Sequence, residues 1–188
     1  MAGLIAVGVF ALFLFVYSVL TYNSLINLRN LIKESWSDVE TELKRRHDLI
    51  PNLVETVKGY AKHEREVLEK VVEARARVMA GIERGEDAKK VSRDENELTR
   101  TLRSLFALAE RYPDLKASRN FLQLQRELVN TEDRIQAARR FYNANVRDFN
   151  NKVEMFPSSI IAKIFGFKTA EFFEIEPLEA ETPHVSMT

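Results

Sequence analysis

The sequence predicts an all-α protein with one membrane-spanning helix at its N-terminus. Three observations carry that prediction: an uncharged apolar stretch as long as a bilayer is thick, an apolar stripe of helical period, and a seven-residue seam further along. Composition agrees. Of 188 residues only 6 are Gly and 5 are Pro, while 30% are charged and 45% apolar, the balance of a helix-rich folded chain. Lys and Arg number 28, as do Asp and Glu, so the formal charge is zero. A general nucleic-acid binder carries a basic excess, so no nucleic-acid partner is expected. The absence of Cys excludes disulfides, thiolate zinc sites and a thiol nucleophile.

The first charged side chain is Arg29, and Leu4 to Tyr22 is almost unbroken apolar sequence. Nineteen residues rising 1.5 Å each span roughly 28 Å, close to the hydrocarbon thickness of a bilayer. Leu4, Phe10, Phe13, Phe15 and Leu20 are the side chains expected to face lipid, with Tyr17 and Tyr22 at the headgroup level. A cleaved signal peptide needs a basic residue before the apolar stretch and a small-x-small site after it; neither is present. Residues 1–23 are therefore read as an uncleaved single-pass anchor in a cell membrane, with the bilayer as partner. Arg29 and Lys33 follow the anchor and no basic residue precedes it, so the positive-inside bias places the soluble part in the cytoplasm.

From Leu25 an apolar stripe runs through Leu28, Ile32, Trp36, Val39, Leu43, His47, Ile50, Val54, Val57 and Ala61. Its ten steps cover 36 residues, a mean of 3.6, the period of a straight amphipathic helix. It then rotates to Val67, Val71, Ala74, Val78 and Ile82. Pro51 removes a helix hydrogen bond and crowds the preceding turn, yet the phase continues through it. Two readings follow: one long helix kinked at Pro51, or a helix ending near His47 and a second capped by Asp48, with Pro51 in its first turn.

Residues 81–91 read as a linker, and Ser92 with Glu95 matches a capping box that would start the next helix. Leu98, Leu102, Leu105, Ala109 and Tyr112 continue it until Pro113. The last long helix carries Phe121, Leu128, Ile135, Tyr142, Phe149 and Phe156 at intervals of seven, a coiled-coil-like seam suited to one or two partner helices. Thr131 and Asn145 are polar positions within it, read as register-setting or partly solvated. Arg119, Arg126, Arg140 and Arg147 recur opposite this seam and, with Glu127, Glu132 and Asp148, read as a solvated face. Residues 24–156 thus form the helical body. Residues 157–176 form an apolar C-terminal segment, with a short helix capped by Ser158 or Ser159 and ended by Gly166. Residues 177–188 lack periodicity and read as a flexible tail.

No constellation specifies an enzyme, and no catalytic, metal or cofactor residues are assigned. His47 and His63 lack the Glu three residues earlier that a di-iron bundle requires, and His63-Glu64 lacks the second His of a zincin. Glu181 and His184 have that spacing, but Pro183 lies between them. The one polar cluster worth naming is Arg45, Arg46, His47 and Asp48. Its functional reading is a sensor, a lipid or small-molecule binder, or an enzyme, with His47 as a base held by Asp48. Its bland reading is an imidazole at a helix end satisfied by a backbone group or nearby carboxylate.

The residues also resemble a known family. Tyr22-Asn23 after the anchor, Trp36, and LKRRHDLIPNLVETVKGYAKHE from Leu43 to Glu64 are similar to the LemA family of bacterial membrane proteins. So are FLQLQREL from Phe121, Thr131 to Ile135, Arg140 to Asn143, and FGFKTAEFFE from Phe165. The resemblance covers nearly the whole chain up to Pro177. It implies one N-terminal anchor followed by an antiparallel four-helix bundle with a turn near Pro51, and on that ground the two-helix reading of Pro51 is adopted. It implies no agreed enzymatic activity and no catalytic residues to carry over. Some relatives are associated with forming internal membrane vesicles. The expected function is a non-enzymatic scaffold acting through protein contacts, with other membrane proteins and with further copies of itself. Ile161, Ile164, Phe165, Phe167, Phe172 and Phe173 are the expected self-association surface, being in excess of the stripes a bundle can bury.

Overall fold

A computed structural model describes residues 1–174, all of whose regular structure is helical. The tail from Pro177, with His184, and the neighbouring Ile175 lie outside the described residues. The helices are α1 (Ala2–Tyr60), α2 (Arg65–Glu83), α3 (Ala88–Ala109), α4 (Pro113–Lys116), α5 (Arg119–Glu154) and α6 (Ser158–Ile164). The described chain falls into two compact units. One holds Met1–Ser37 and Phe141–Phe172; the other holds Asp38–Arg140 with Phe173 and Glu174. Both α1 and α5 contribute to each.

The second unit contains the structure's main correction. Pro51 lies inside α1, which runs on to Tyr60, so the turn expected near Pro51 is absent and Asp48 caps nothing. The chain reverses instead at residues 61–64, where Ala61 N donates to Val57 O and Glu64 N to Ala61 O. A proline at position 51 cannot donate to the carbonyl of residue 47, and that loss is what normally ends a helix. Here Arg75 of α2 supplies the missing donor: its Nε lies 2.7 Å from the His47 carbonyl oxygen. The phase of the stripe was the better guide. Leu43, Ile50, Leu53 and Val57 of α1 are fully buried.

The linker is also shorter than 81–91. Gly85, at φ +64°, closes α2 in a Schellman turn, with Gly85 N donating to Ile82 O and Glu86 N to Gly81 O. Asp87 then caps α3, its Oδ1 accepting from Lys90 N at 2.8 Å. Ser92 and Glu95 are therefore not a capping box. Ser92 donates to the Glu174 carbonyl, and Glu95 is buried. The run expected to continue through Tyr112 to Pro113 ends earlier: α3 stops at Ala109, and Tyr112 is the N-cap of α4, which Pro113 opens as its first residue. Glu64 accepts from Arg111 Nη2 at 2.6 Å and from the Tyr112 hydroxyl at 3.2 Å, tying the α1–α2 turn to the end of α3.

In the first unit the core is Leu25, Phe149 and Ala162, with Leu28, Ile32, Val153, Phe167 and Ala170 packed on it. The seven-residue seam is buried from Phe121 to Phe149, but α5 ends at Glu154 and Phe156 beyond it is 80% exposed. The α6 helix starts after Pro157 with no side-chain cap, and the Ser158 hydroxyl donates back to Met155 O. Gly166, at φ +72°, ends α6 in a second Schellman turn. The segment after it is clamped to α5. Asn150 donates to Ala170 O at 2.9 Å and accepts from Ala170 N at 2.8 Å, while the Tyr142 hydroxyl donates to Glu171 O.

Candidate functional site

One turn of α1 gathers the buried charge of the second unit. Arg46 Nη1 donates to Glu132 Oε2 of α5 at 2.9 Å, and Arg46 Nη2 donates to Glu95 Oε2 of α3. The other Glu95 oxygen lies 2.8 Å from His47 Nε2. Arg75 of α2 holds the His47 carbonyl. Two adjacent residues of α1 are thus joined to α2, α3 and α5. Arg46, His47 and Glu95 have no solvent exposure and Glu132 has 5%.

Charge in this cluster is balanced. Arg46 and Arg75 oppose Glu95 and Glu132, and His47 stays neutral. Burial first, then the positive charges of Arg46 and Arg75, push the His47 imidazole down to about 3. A neutral imidazole facing a carboxylate carries its proton on the facing nitrogen, so Nε2–H donates to Glu95. Burial also pushes Arg46 below its ordinary value, against the opposing pull of Glu132. A guanidinium nonetheless keeps its proton inside proteins, and its fork suits two carboxylates at once.

The sequence cluster is divided by this geometry. Arg46 and His47 are buried together, whereas Arg45 and Asp48 are exposed. Glu95, not Asp48, holds the imidazole, and His47 lies within α1 rather than at a helix end. Arg75, Glu95 and Glu132 were missed, and Glu132 leaves the solvated face assigned to it. The signal was phase. Arg46 falls between Leu43 and Ile50, Glu95 between Val91 and Leu98, and Glu132 between Leu128 and Ile135, each at the 3- and 4-residue steps of a buried stripe. A charge in such a position requires a partner. Among the described residues no group of three His, Asp or Glu side chains is placed to hold a metal ion.

The first unit holds the other residues singled out, except Phe173, which belongs to the second. Within α1, an 18-residue apolar window has mean hydropathy 2.5 and none of it is buried. Leu4, Phe10, Phe13, Phe15 and Leu20 are all at least 63% exposed. That surface is compatible with a membrane anchor. The expected self-association set divides in two. Ile161 and Phe173 are buried, and Phe167 packs into the Leu25–Phe149–Ala162 core with Arg29 over its ring at 5.5 Å. Ile164, Phe165 and Phe172 remain exposed, so only these three are free to meet a partner.

The sequence profile of the LemA family matches residues 35–187, a span that contains the whole charged cluster. The chain belongs to the LemA family. Protein LemA of Metamycoplasma hominis is 31% identical over 176 residues, covering 91% of this chain and 78% of that protein. Magnetosome protein MamQ of Magnetospirillum gryphiswaldense is 25% identical over 206 residues, with coverage of 97% and 75%. Magnetosome protein MamQ 2 of Paramagnetospirillum magneticum is 24% identical over 210 residues, with coverage of 98% and 76%.

Two outcomes test the cluster. Glu95→Ala leaves Arg46 half-compensated and His47 without an acceptor, so it should cost about 3–5 kcal/mol in denaturant unfolding. Replacing Arg46, Glu95 and Glu132 together with Leu should cost far less than the sum of the single changes. Equal costs would mean the charges act independently. The second outcome concerns acid. His47 is depressed to about 3 in the fold, against about 6.5 unfolded, so its contribution is complete above pH 6.5 and is lost as pH falls toward 3. Between pH 7 and 4.5 the wild type should lose roughly 2–3 kcal/mol more than His47→Gln does. Parallel pH profiles for the two would show that His47 is not buried in its neutral form.

Proposed function

We propose that this LemA-family chain is a single-pass, non-enzymatic membrane scaffold. Its soluble helices form an antiparallel four-helix bundle, and its anchor holds that bundle at the cytoplasmic face of a membrane. One observation carries the reading: among the described residues the most apolar surface is a bare helix of bilayer length, while the Arg46–His47–Glu95–Glu132 cluster is sealed from solvent. A cluster closed in this way has no face for a substrate. It fits a part in helix register, because a pairing that separates Arg46 from both carboxylates would strand a buried charge. The relatives support membrane association: one is named LemA and two are named magnetosome proteins.

Contacts with further copies and with other membrane proteins belong to the same proposal. Copies in one membrane share an orientation and a confined volume, which raises their effective concentration. The rival reading, a sensor, ligand-binding protein or enzyme built on His47, predicts that His47→Gln abolishes function at unchanged stability. The scaffold reading predicts that function declines only as far as folded protein is lost. Membrane extraction tests the anchor. The protein should stay in the membrane through a carbonate wash with its apolar segment uncleaved, and protease added to right-side-out vesicles should leave the bundle intact. Release by carbonate would overturn the anchor, and cleavage from outside would reverse the orientation.

A further inference from the structure

The end of the anchor does not stand alone. Tyr22 lies 18 residues after Leu4, roughly 27 Å along the helix, which sets its ring at the bilayer interface. The Phe165 ring, just past the end of α6, lies 4.7 Å from that of Tyr22, and Phe167 is 5.9 Å away. One turn further along α1, Leu25 shares a core with Ala162 of α6. The α6 helix is therefore packed against the first turn of α1 beyond the membrane segment, at the depth where headgroups begin.

The outward face of this corner is apolar. Ala162 and Ile161 turn inward, while Ile160 is 50% exposed, Ile164 69% and Phe165 56%. Ile160 and Ile164 are four residues apart and share one face of the helix. An open groove of about 380 Å³ runs between Val153 of α5 and α6, with Lys163 at its edge. Lys163 and Lys168 are exposed on the same short segment. Lys152 Nζ meets Ser24 Oγ at 2.5 Å, so another ammonium lies within a turn of Tyr22. Apolar side chains with long cationic ones beside them are what an interfacial helix offers to a bilayer, the first entering the acyl boundary and the second reaching lipid phosphates.

We propose that α6 and its C-terminal corner form a second membrane contact, in which Ile160, Ile164 and Phe165 enter the lipid beside the anchor and Lys163 and Lys168 meet lipid phosphates. This rests on the anchor reading above. Continuity with Tyr22 favours lipid over a second copy of the chain. The bilayer already surrounds the neighbouring helix, so a second copy would have to displace lipid to reach this corner. Such a contact holds the helix emerging from the membrane at a defined angle, which a single spanning helix does not do.

The chain contains no Cys, so single substitutions place a label uniquely. Full-length protein carrying Phe13→Cys, Ile164→Cys, Ile160→Cys or His63→Cys is labelled with an environment-sensitive fluorophore and reconstituted into phosphatidylcholine vesicles, with or without phosphatidylglycerol. Lipids bearing a nitroxide either near the top or near the end of the acyl chain serve as quenchers, the first for the α6 positions and the second for Phe13 at the middle of the anchor. The proposal predicts a blue shift and strong quenching at Phe13, Ile164 and Ile160, none at His63, and deeper quenching at Ile164 when anionic lipid is present. Lys163→Glu with Lys168→Glu should remove that anionic increment. Quenching at Phe13 with water-like emission at both α6 positions would overturn this inference and leave the anchor standing. Loss of quenching at Phe13 would overturn the anchor reading itself. A signal at Ile164 that is insensitive to lipid quencher but grows with protein-to-lipid ratio would assign the surface to a second copy and overturn the lipid contact.

Discussion

The helices of the second unit depend on the carbonyl of His47. Pro51 takes away the amide that would have bonded to it, and an unpaired carbonyl beside buried charge is costly. Arg75 resolves this from another helix, with a donor 2.7 Å away. A defect in one helix thereby becomes a link between two. The same turn carries Arg46 and the His47 ring, whose partners Glu95 and Glu132 come from α3 and α5. Apolar packing alone tolerates many arrangements of amphipathic helices, since Leu and Val pair with little discrimination. A buried guanidinium that needs two carboxylates is far more selective, and the neutral imidazole fills the remaining acceptor site on Glu95 without adding charge.

Much of this is legible in the sequence. The 3.6-residue stripe placed Leu43, Ile50 and Val57 in the core, and its unbroken phase through Pro51 pointed to one helix. The resemblance to relatives pointed to a turn there instead, and it misled because a proline's missing donor can be replaced by a side chain from a distant element. Nothing local in the sequence announces that Arg75 plays this part. Glu95 was misplaced for a different reason. Ser92 with Glu95 satisfies the capping-box pattern, but Asp87 had already capped the helix five residues upstream of Ser92. Glu132 was assigned to solvent because charged residues on a helix default to the exposed face. Its position one step from Leu128 and Ile135 showed otherwise.

The apolar N-terminal helix was plain from composition, because nineteen residues without a charge match the length of a bilayer-spanning helix. What composition could not show is how the apolar C-terminal residues divide. Phe167 and Ile161 belong to the local core, held by the Gly166 turn and the Asn150 clamp, while Ile164 and Phe165 stay outside. That partition depends on a left-handed glycine and a carboxamide pairing with backbone across 20 residues of sequence. With Phe165 against Tyr22, the leftover apolar surface lies beside the end of the apolar stretch of α1.

The claim that Arg75 replaces the amide lost at Pro51 is open to one direct measurement, a double-mutant cycle on unfolding free energy. Arg75→Met alone strands the His47 carbonyl and should cost about 1–3 kcal/mol. In a Pro51→Ala background the helix regains its own donor to that carbonyl, and the same Arg75→Met change should cost well under half as much. If Arg75→Met were equally costly in both backgrounds, the carbonyl would not be what Arg75 serves, and the account of how α1 passes through Pro51 would be contradicted.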